Sequence, residues 1–89
     1  MSQIQYTEEP NWAPLEMMLG PDRCGRFDFI GFIEAFDTII FLYKHKDTKR
    51  YINIDLNGNT WLFKLNDSRP GMGIYVPIPK DEAVQRIYK

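Results

Sequence analysis

The segment Thr38–Leu65, TIIFLYKHKDTKRYINIDLNGNTWLFKL, decides the fold. Three runs of alternating apolar and polar residues are separated by two polar turn signals, as expected of three antiparallel strands joined by tight hairpins. Asn57-Gly58 is the stronger signal. Read as a two-residue type I′ turn with positive φ at both positions, it pairs Leu56 with Asn59, Ile54 with Trp61, Ile52 with Phe63 and Arg50 with Leu65. A turn centred on Lys46-Asp47 pairs Lys44 with Lys49, Phe41 with Ile52 and Ile39 with Ile54. The two registers together predict a core face of Ile39, Phe41, Ile52, Ile54, Trp61, Phe63 and Leu65. Lys44, Lys49, Tyr51, Asn53, Asp55, Thr60, Leu62 and Lys64 fall on the other face with Ile40 and Leu42, so a helix, the first strand or another subunit should cover part of that face. Successive side chains alternate, so a slip of one residue exchanges the faces.

Flanking segments complete the plan. Residues 1–10 show no periodicity and read as a flexible leader, leaving 11–89 as a single domain. Asn11 reads as an N-cap before Trp12, Leu15, Met18 and Leu19 at helical spacing, with Gly20-Pro21 as the stop. Pro21–Arg26 reads as a turn-rich connector. Phe27–Phe32 (FDFIGF) reads as a first strand, with Gly31 marking a bulge or a place where another backbone comes close. Residues 66–71 form a loop, and Ile74, Val76 and Ile78 predict a short strand. Pro77 and Pro79 cannot donate ladder hydrogen bonds, so this strand should lie at an edge or end early. Lys80–Tyr88 predicts a closing helix, with Asp81 and Glu82 in its first turn and Arg86 in its last. The expected class is α+β: an antiparallel meander of four to five strands covered on one face by a short N-terminal helix and a C-terminal helix. A β-sandwich would waste both amphipathic helices.

Composition bounds the chemistry. Eighty-nine residues with 44% hydrophobic content support one modest core. No apolar run reaches the ~18 residues of a membrane span, and the polar N-terminus does not read as a signal peptide. Cys24 is the one cysteine, which leaves no internal disulfide and too few thiols for a zinc site, and suits a reducing, cytoplasmic setting. The formal net charge of −1 is unevenly spread. Residues 1–37 carry seven acids against Arg23 and Arg26, whereas residues 38–53 carry Lys44, Lys46, Lys49 and Arg50 against Asp47 alone. Such asymmetry serves an anionic partner or simply solubility.

Catalytic signatures are missing from the sequence. His45 lies in the turn KHKDTK and reads as an exposed turn residue, with no serine or cysteine near it; Cys24 reads as a small buried hydrophobe. Asp55-Leu56-Asn57-Gly58-Asn59 groups oxygen donors as a calcium loop does, but lacks the spacing and terminal glutamate of an EF-hand, and a hairpin turn accounts for every residue. Gly71 and Gly73 precede a strand rather than a helix, so they form no phosphate cradle. No catalytic residue, metal ligand or cofactor is therefore expected. The remaining candidate is the basic hairpin face: Lys44, Lys46, Lys49, Arg50, Tyr51 and Lys64, a set suited to an anionic partner. Lys44 opposite Lys49 would be a destabilising pair that a bound anion offsets. Equally, lysines keep exposed strands from pairing with other chains.

The residues Trp12-Ala13-Pro14-Leu15-Glu16, Cys24, Tyr43-Lys44-His45 and Thr48-Lys49-Arg50-Tyr51-Ile52-Asn53-Ile54-Asp55 resemble a group of short uncharacterised bacterial proteins. Those proteins pair a W-x-P-L-E helix start with a Y-K-H…T-x-R-Y-L-N-L-D hairpin and a terminal helix. Here isoleucines stand in place of the hairpin leucines. The resemblance spans Trp12–Tyr88 and implies the fold and a bacterial, cytoplasmic home, but no activity. The expected function is a small non-enzymatic binding or protein-interaction module, its partner another protein or a second copy as a homodimer. A nucleic-acid-binding domain using the basic hairpin is the alternative, and an enzyme the third reading.

Overall fold

Five strands pair in sequence order, each antiparallel to the next, in the computed structural model, which describes residues 10–35, 37–65 and 73–88. They are β1 (Phe27–Ala35), β2 (Thr38–His45), β3 (Tyr51–Asp55), β4 (Thr60–Leu65) and β5 (Gly73–Ile78). Helices α1 (Ala13–Leu19) and α2 (Pro21–Cys24) precede the sheet and α3 (Lys80–Tyr88) follows it. The architecture is therefore α+β with an antiparallel meander. Among the described residues no helix is long and apolar enough to cross a membrane. The expected leader, except Pro10, and the expected loop at 66–71 lie outside the described residues.

Local chemistry accounts for most element boundaries. Pro14 falls in the first turn of α1, where a missing N–H costs little. Trp12, not Asn11, is the capping position, although the Asn11 Oδ1 accepts a hydrogen bond from the Ala13 N–H at 3.1 Å. The connector expected at Pro21–Arg26 contains the single-turn α2. β1 runs on to Ala35, and its register against β2 shifts between Phe29 and Gly31, the bulge that the glycine signalled. As expected, β5 is an outer strand and α3 spans Lys80–Tyr88.

Both hairpin registers differ from the sequence reading, and the second difference is consequential. Across β2 and β3, Phe41 faces Ile54, Tyr43 faces Ile52 and Lys44 faces Tyr51. This is a slip of two residues, which preserves the faces but removes the expected Lys44–Lys49 pair. The loop is longer than read: His45 closes it by donating its N–H to the Arg50 carbonyl at 2.8 Å. Across β3 and β4, Ile54 faces Thr60 and Asn53 faces Trp61. That slip of one residue turns β4 over.

One face is consequently the main core. Leu15, Cys24, Phe27, Phe41, Tyr43, Ile52, Ile54, Ala83 and Ile87 form a single buried cluster, joining all three helices to β1, β2 and β3. Trp61, Phe63 and Leu65, expected there, project instead to the far face. Thr60 takes the inward position at 2% exposure and donates its hydroxyl to the Ile78 carbonyl at 2.7 Å. The far face holds a smaller cluster of Ile33, Ile40 and Leu42, against which Ile30, Ala35, Trp61 and Tyr75 pack. Cover over Ile40 and Leu42 thus comes from side chains of the sheet itself, on β1, β4 and β5.

Two truncations separate these registers. Ile54→Ala should cost ~2–5 kcal/mol, the range for emptying a buried isoleucine site, because Ile54 is fully buried. Leu65→Ala should stay within about 0.5 kcal/mol, as surface changes do, because Leu65 is 69% exposed. Equal losses for both in denaturant unfolding would contradict the observed pairing.

Candidate binding face

Asp55 determines which side chains reach the far face. Its backbone carbonyl accepts the Gly58 N–H at 3.1 Å and its N–H donates to the Asn59 carbonyl at 2.9 Å. Those two bonds define a three-residue loop, Leu56-Asn57-Gly58, with a type I turn followed by a left-handed glycine. Gly58 has φ +84°, while Asn57 is not among the positive-φ residues, so the type I′ turn does not form. The Asp55 side chain, 2% exposed, completes the turn. Its Oδ1 accepts the Asn57 and Asn59 N–H groups at 2.8 and 2.9 Å, and its Oδ2 accepts the Trp61 indole N–H at 3.0 Å. Burial alone would raise the carboxyl pKa. The Trp61 indole and the Asn59 and Asn57 amides outweigh it, so the net shift is downward.

His45 does the same work at the other hairpin. Its imidazole is buried at 4% exposure, not exposed in the turn as expected, and its Nδ1 accepts the Asp47 and Thr48 N–H groups at 3.3 Å. Its ring meets Phe27 and Tyr88 edge-on, with centroids 4.9 and 5.3 Å apart. Lys49 closes this loop at φ +63°, a left-handed conformation that a glycine or asparagine adopts more cheaply.

The six expected binding residues do not form one patch. Lys44 and Tyr51 are cross-strand partners on the far face, with the Lys44 Nζ 5.8 Å from the Tyr51 ring centroid. Lys46 and Lys49 occupy the adjoining turn and Arg50 stands at the entry to β3, all exposed. Lys64 pairs with Ile74 and points to the opposite face, so it is not a neighbour of Tyr51. Acids interrupt the group. Asp28 lies opposite Lys44 and 3.8 Å from Lys46, and Asp47 lies 3.7 Å from Arg26. These pairs are solvent-exposed and contribute ~0–1 kcal/mol each. At this end of the sheet Arg26, Lys44, Lys46, Lys49 and Arg50 still outnumber Asp28 and Asp47.

Sequence reasoning missed the aromatic residues that join Tyr51. Because β4 is turned over, Phe63 lies on the Tyr51 face opposite Tyr75, their ring centroids 5.0 Å apart. Tyr51 and Phe63 are each 44% exposed, whereas Tyr75 is half-buried. Burial raises the Tyr75 phenol pKa, and the nearby Tyr51 phenol raises it further. Lys44, Tyr51, Phe63 and Tyr75 thus share one face of the four consecutive strands β2 to β5, beginning at the basic turn. The Phe63 ring is seated over Gly73: a Cβ there would collide with the ring and stand 2.8 Å from the Lys64 carbonyl oxygen. One signal for this arrangement was present in the sequence. Aspartate first and glycine fourth, as in Asp55…Gly58, mark a type I turn.

Other polar groups serve packing. The Tyr43 hydroxyl donates to the Asn11 carbonyl at 2.6 Å, and burial holds its pKa well above the usual tyrosine range. Burial, then the Glu16 carboxylate, raises the Cys24 thiol pKa. Among the described residues no group of three or more His, Cys, Asp or Glu side chains could hold a metal ion. A shallow groove of about 710 Å³ lies at the opposite end, lined by Glu34, Ala35, Asp37, Thr38, Ile39, Leu56 and Asn57. No family model matches the chain, and searches of curated proteins and of solved structures find no match either.

Acid titration tests the turn. The Asp55 carboxyl is held below its unfolded value of about 3.9, so its contribution is fully present above that pH and lost as pH falls through the folded value. Asp55→Asn should destabilise the protein by ~1–3 kcal/mol at neutral pH, the scale of hydrogen bonds to a charged group. It should also flatten the stability curve below about pH 4. An unchanged acid limb would contradict the assignment. Gly73→Ala should cost ~1–3 kcal/mol through overpacking and shift the Phe63 ring resonances; a silent substitution would show that the ring is not seated there.

Proposed function

We propose that this chain is a non-enzymatic binding module whose working surface is the far face beside the KHKDTK turn. The observation that carries the reading is the set Lys44, Tyr51, Phe63 and Tyr75 on one face of β2 to β5, in which Tyr51 and Phe63 are each 44% exposed. Exposed aromatics are costly to solvate, and aromatic side chains supply much of the energy at binding hot spots. The Phe63 ring packs over Gly73, and a contact that restrains a ring lowers the entropy lost on binding. A structural role for the two reactive side chains also supports a module over an enzyme. The His45 Nδ1 is occupied by backbone N–H groups, and burial favours the protonated Cys24 thiol. A reducing, cytoplasmic setting accords with that buried thiol.

Site-directed photo-crosslinking checks the surface. A photoreactive residue at Leu65, beside Phe63 on the far face, should yield adducts with a macromolecular partner in a cell lysate. Tyr51→Ala should abolish them. The same probe at Met17, 89% exposed on α1, should yield none. Equal labelling from both positions would contradict the assignment.

A further inference from the structure

The chemistry of this face specifies its occupant, given that it is the working surface proposed above. Tyr51 and Phe63 lie on adjacent strands but beyond the β3–β4 ladder, which contains only Asn53 with Trp61 and Ile54 with Thr60. Each ring leaves 44% of its residue open to solvent. Cations border the rings on one side: Lys44 stands over Tyr51, and Lys46, Lys49 and Arg50 follow in the turn. Lys49 adopts a left-handed conformation that a glycine would hold at less cost, yet the position carries a positive charge.

We propose that this face binds single-stranded nucleic acid, with bases stacked on Tyr51 and Phe63 and phosphates held by Lys44, Lys49 and Arg50. Rings on a sheet surface recognise unstacked bases, which a duplex keeps inside. The neighbouring cations supply the sequence-independent attraction that a polyanion needs. A protein partner fits less well, because lysine is depleted from the cores of protein interfaces and Lys44 sits over one of the two exposed rings. The acidic side chains Glu34 and Asp37 lie at the far end of β1 and β2, so an anionic strand is drawn to one end of the face only.

Fluorescence anisotropy with labelled single-stranded DNA and RNA of about 12 nucleotides, within the span such sites cover, tests the proposal. Binding should be measurable at tens of micromolar at about 50 mM salt. It should weaken toward 200 mM with a log–log slope of about −2, as three phosphate contacts give. Tyr51→Ala should weaken binding about 5- to 150-fold, the equivalent of one lost base stack, while Tyr51→Phe keeps it. Matched thermal melts for these two variants exclude unfolding as the cause. Absence of binding, equal affinity for duplex, or an unchanged Tyr51→Ala variant would overturn the proposal. Silent oligonucleotides together with protein adducts at Leu65 would overturn nucleic acid as the partner and leave the binding face standing. Loss of both would remove the face itself.

Discussion

The carboxylate of Asp55 is the constraint on which the far face depends. It is buried and accepts two turn amides and one indole N–H. A charge in that position is tolerable only because its hydrogen bonds replace the lost water. Those bonds fix the loop at three residues, and loop length sets strand register. β4 therefore presents Thr60 to the helices and Trp61 and Phe63 to the other side. One turn residue thus decides whether the large aromatics of β4 fill the core or line a surface.

The fold was legible in the sequence wherever a single local rule decided the outcome. Alternation in Ile39–Tyr43 and Tyr51–Ile54 identified two strands and their buried faces, because a two-residue slip leaves parity intact. Gly31 announced the bulge, and Pro79 with Asp81 and Glu82 announced α3. β4 was not legible, since Asn57-Gly58 satisfies both a two-residue type I′ turn and a type I turn with a left-handed glycine. Two local signals conflict: the asparagine-glycine pair favours the first, and aspartate first with glycine fourth favours the second. The contact between Asp55 and Trp61, six residues apart, goes with the second. Hydrophobicity argued for the wrong face as well, because Trp61, Phe63 and Leu65 look like core residues and only Trp61 joins a buried cluster.

The same distinction explains the binding residues. Lys44 and Tyr51 lie on strands whose faces were read correctly, and the structure places them side by side. Lys64 lies on the strand that turned over, and it is separated from them. Phe63 and Tyr75 became neighbours of Tyr51 through that same turn. The expectation that a lysine pair strained the sheet gives way to a milder arrangement, in which Lys44 faces Tyr51 on one side and Asp28 on the other. His45 shows how little residue type alone indicates: a histidine flanked by lysines in a polar turn is a buried acceptor that shapes the loop.

Cross-strand nuclear Overhauser effects measure the register of β4 most directly. The account predicts backbone contacts joining Ile54 to Thr60 and Asn53 to Trp61, and ring contacts from Phe63 to Tyr75 and Gly73. Backbone contacts joining Ile54 to Trp61 and Ile52 to Phe63 would contradict it, returning the aromatics of β4 to the helix-covered core and dissolving the proposed binding face.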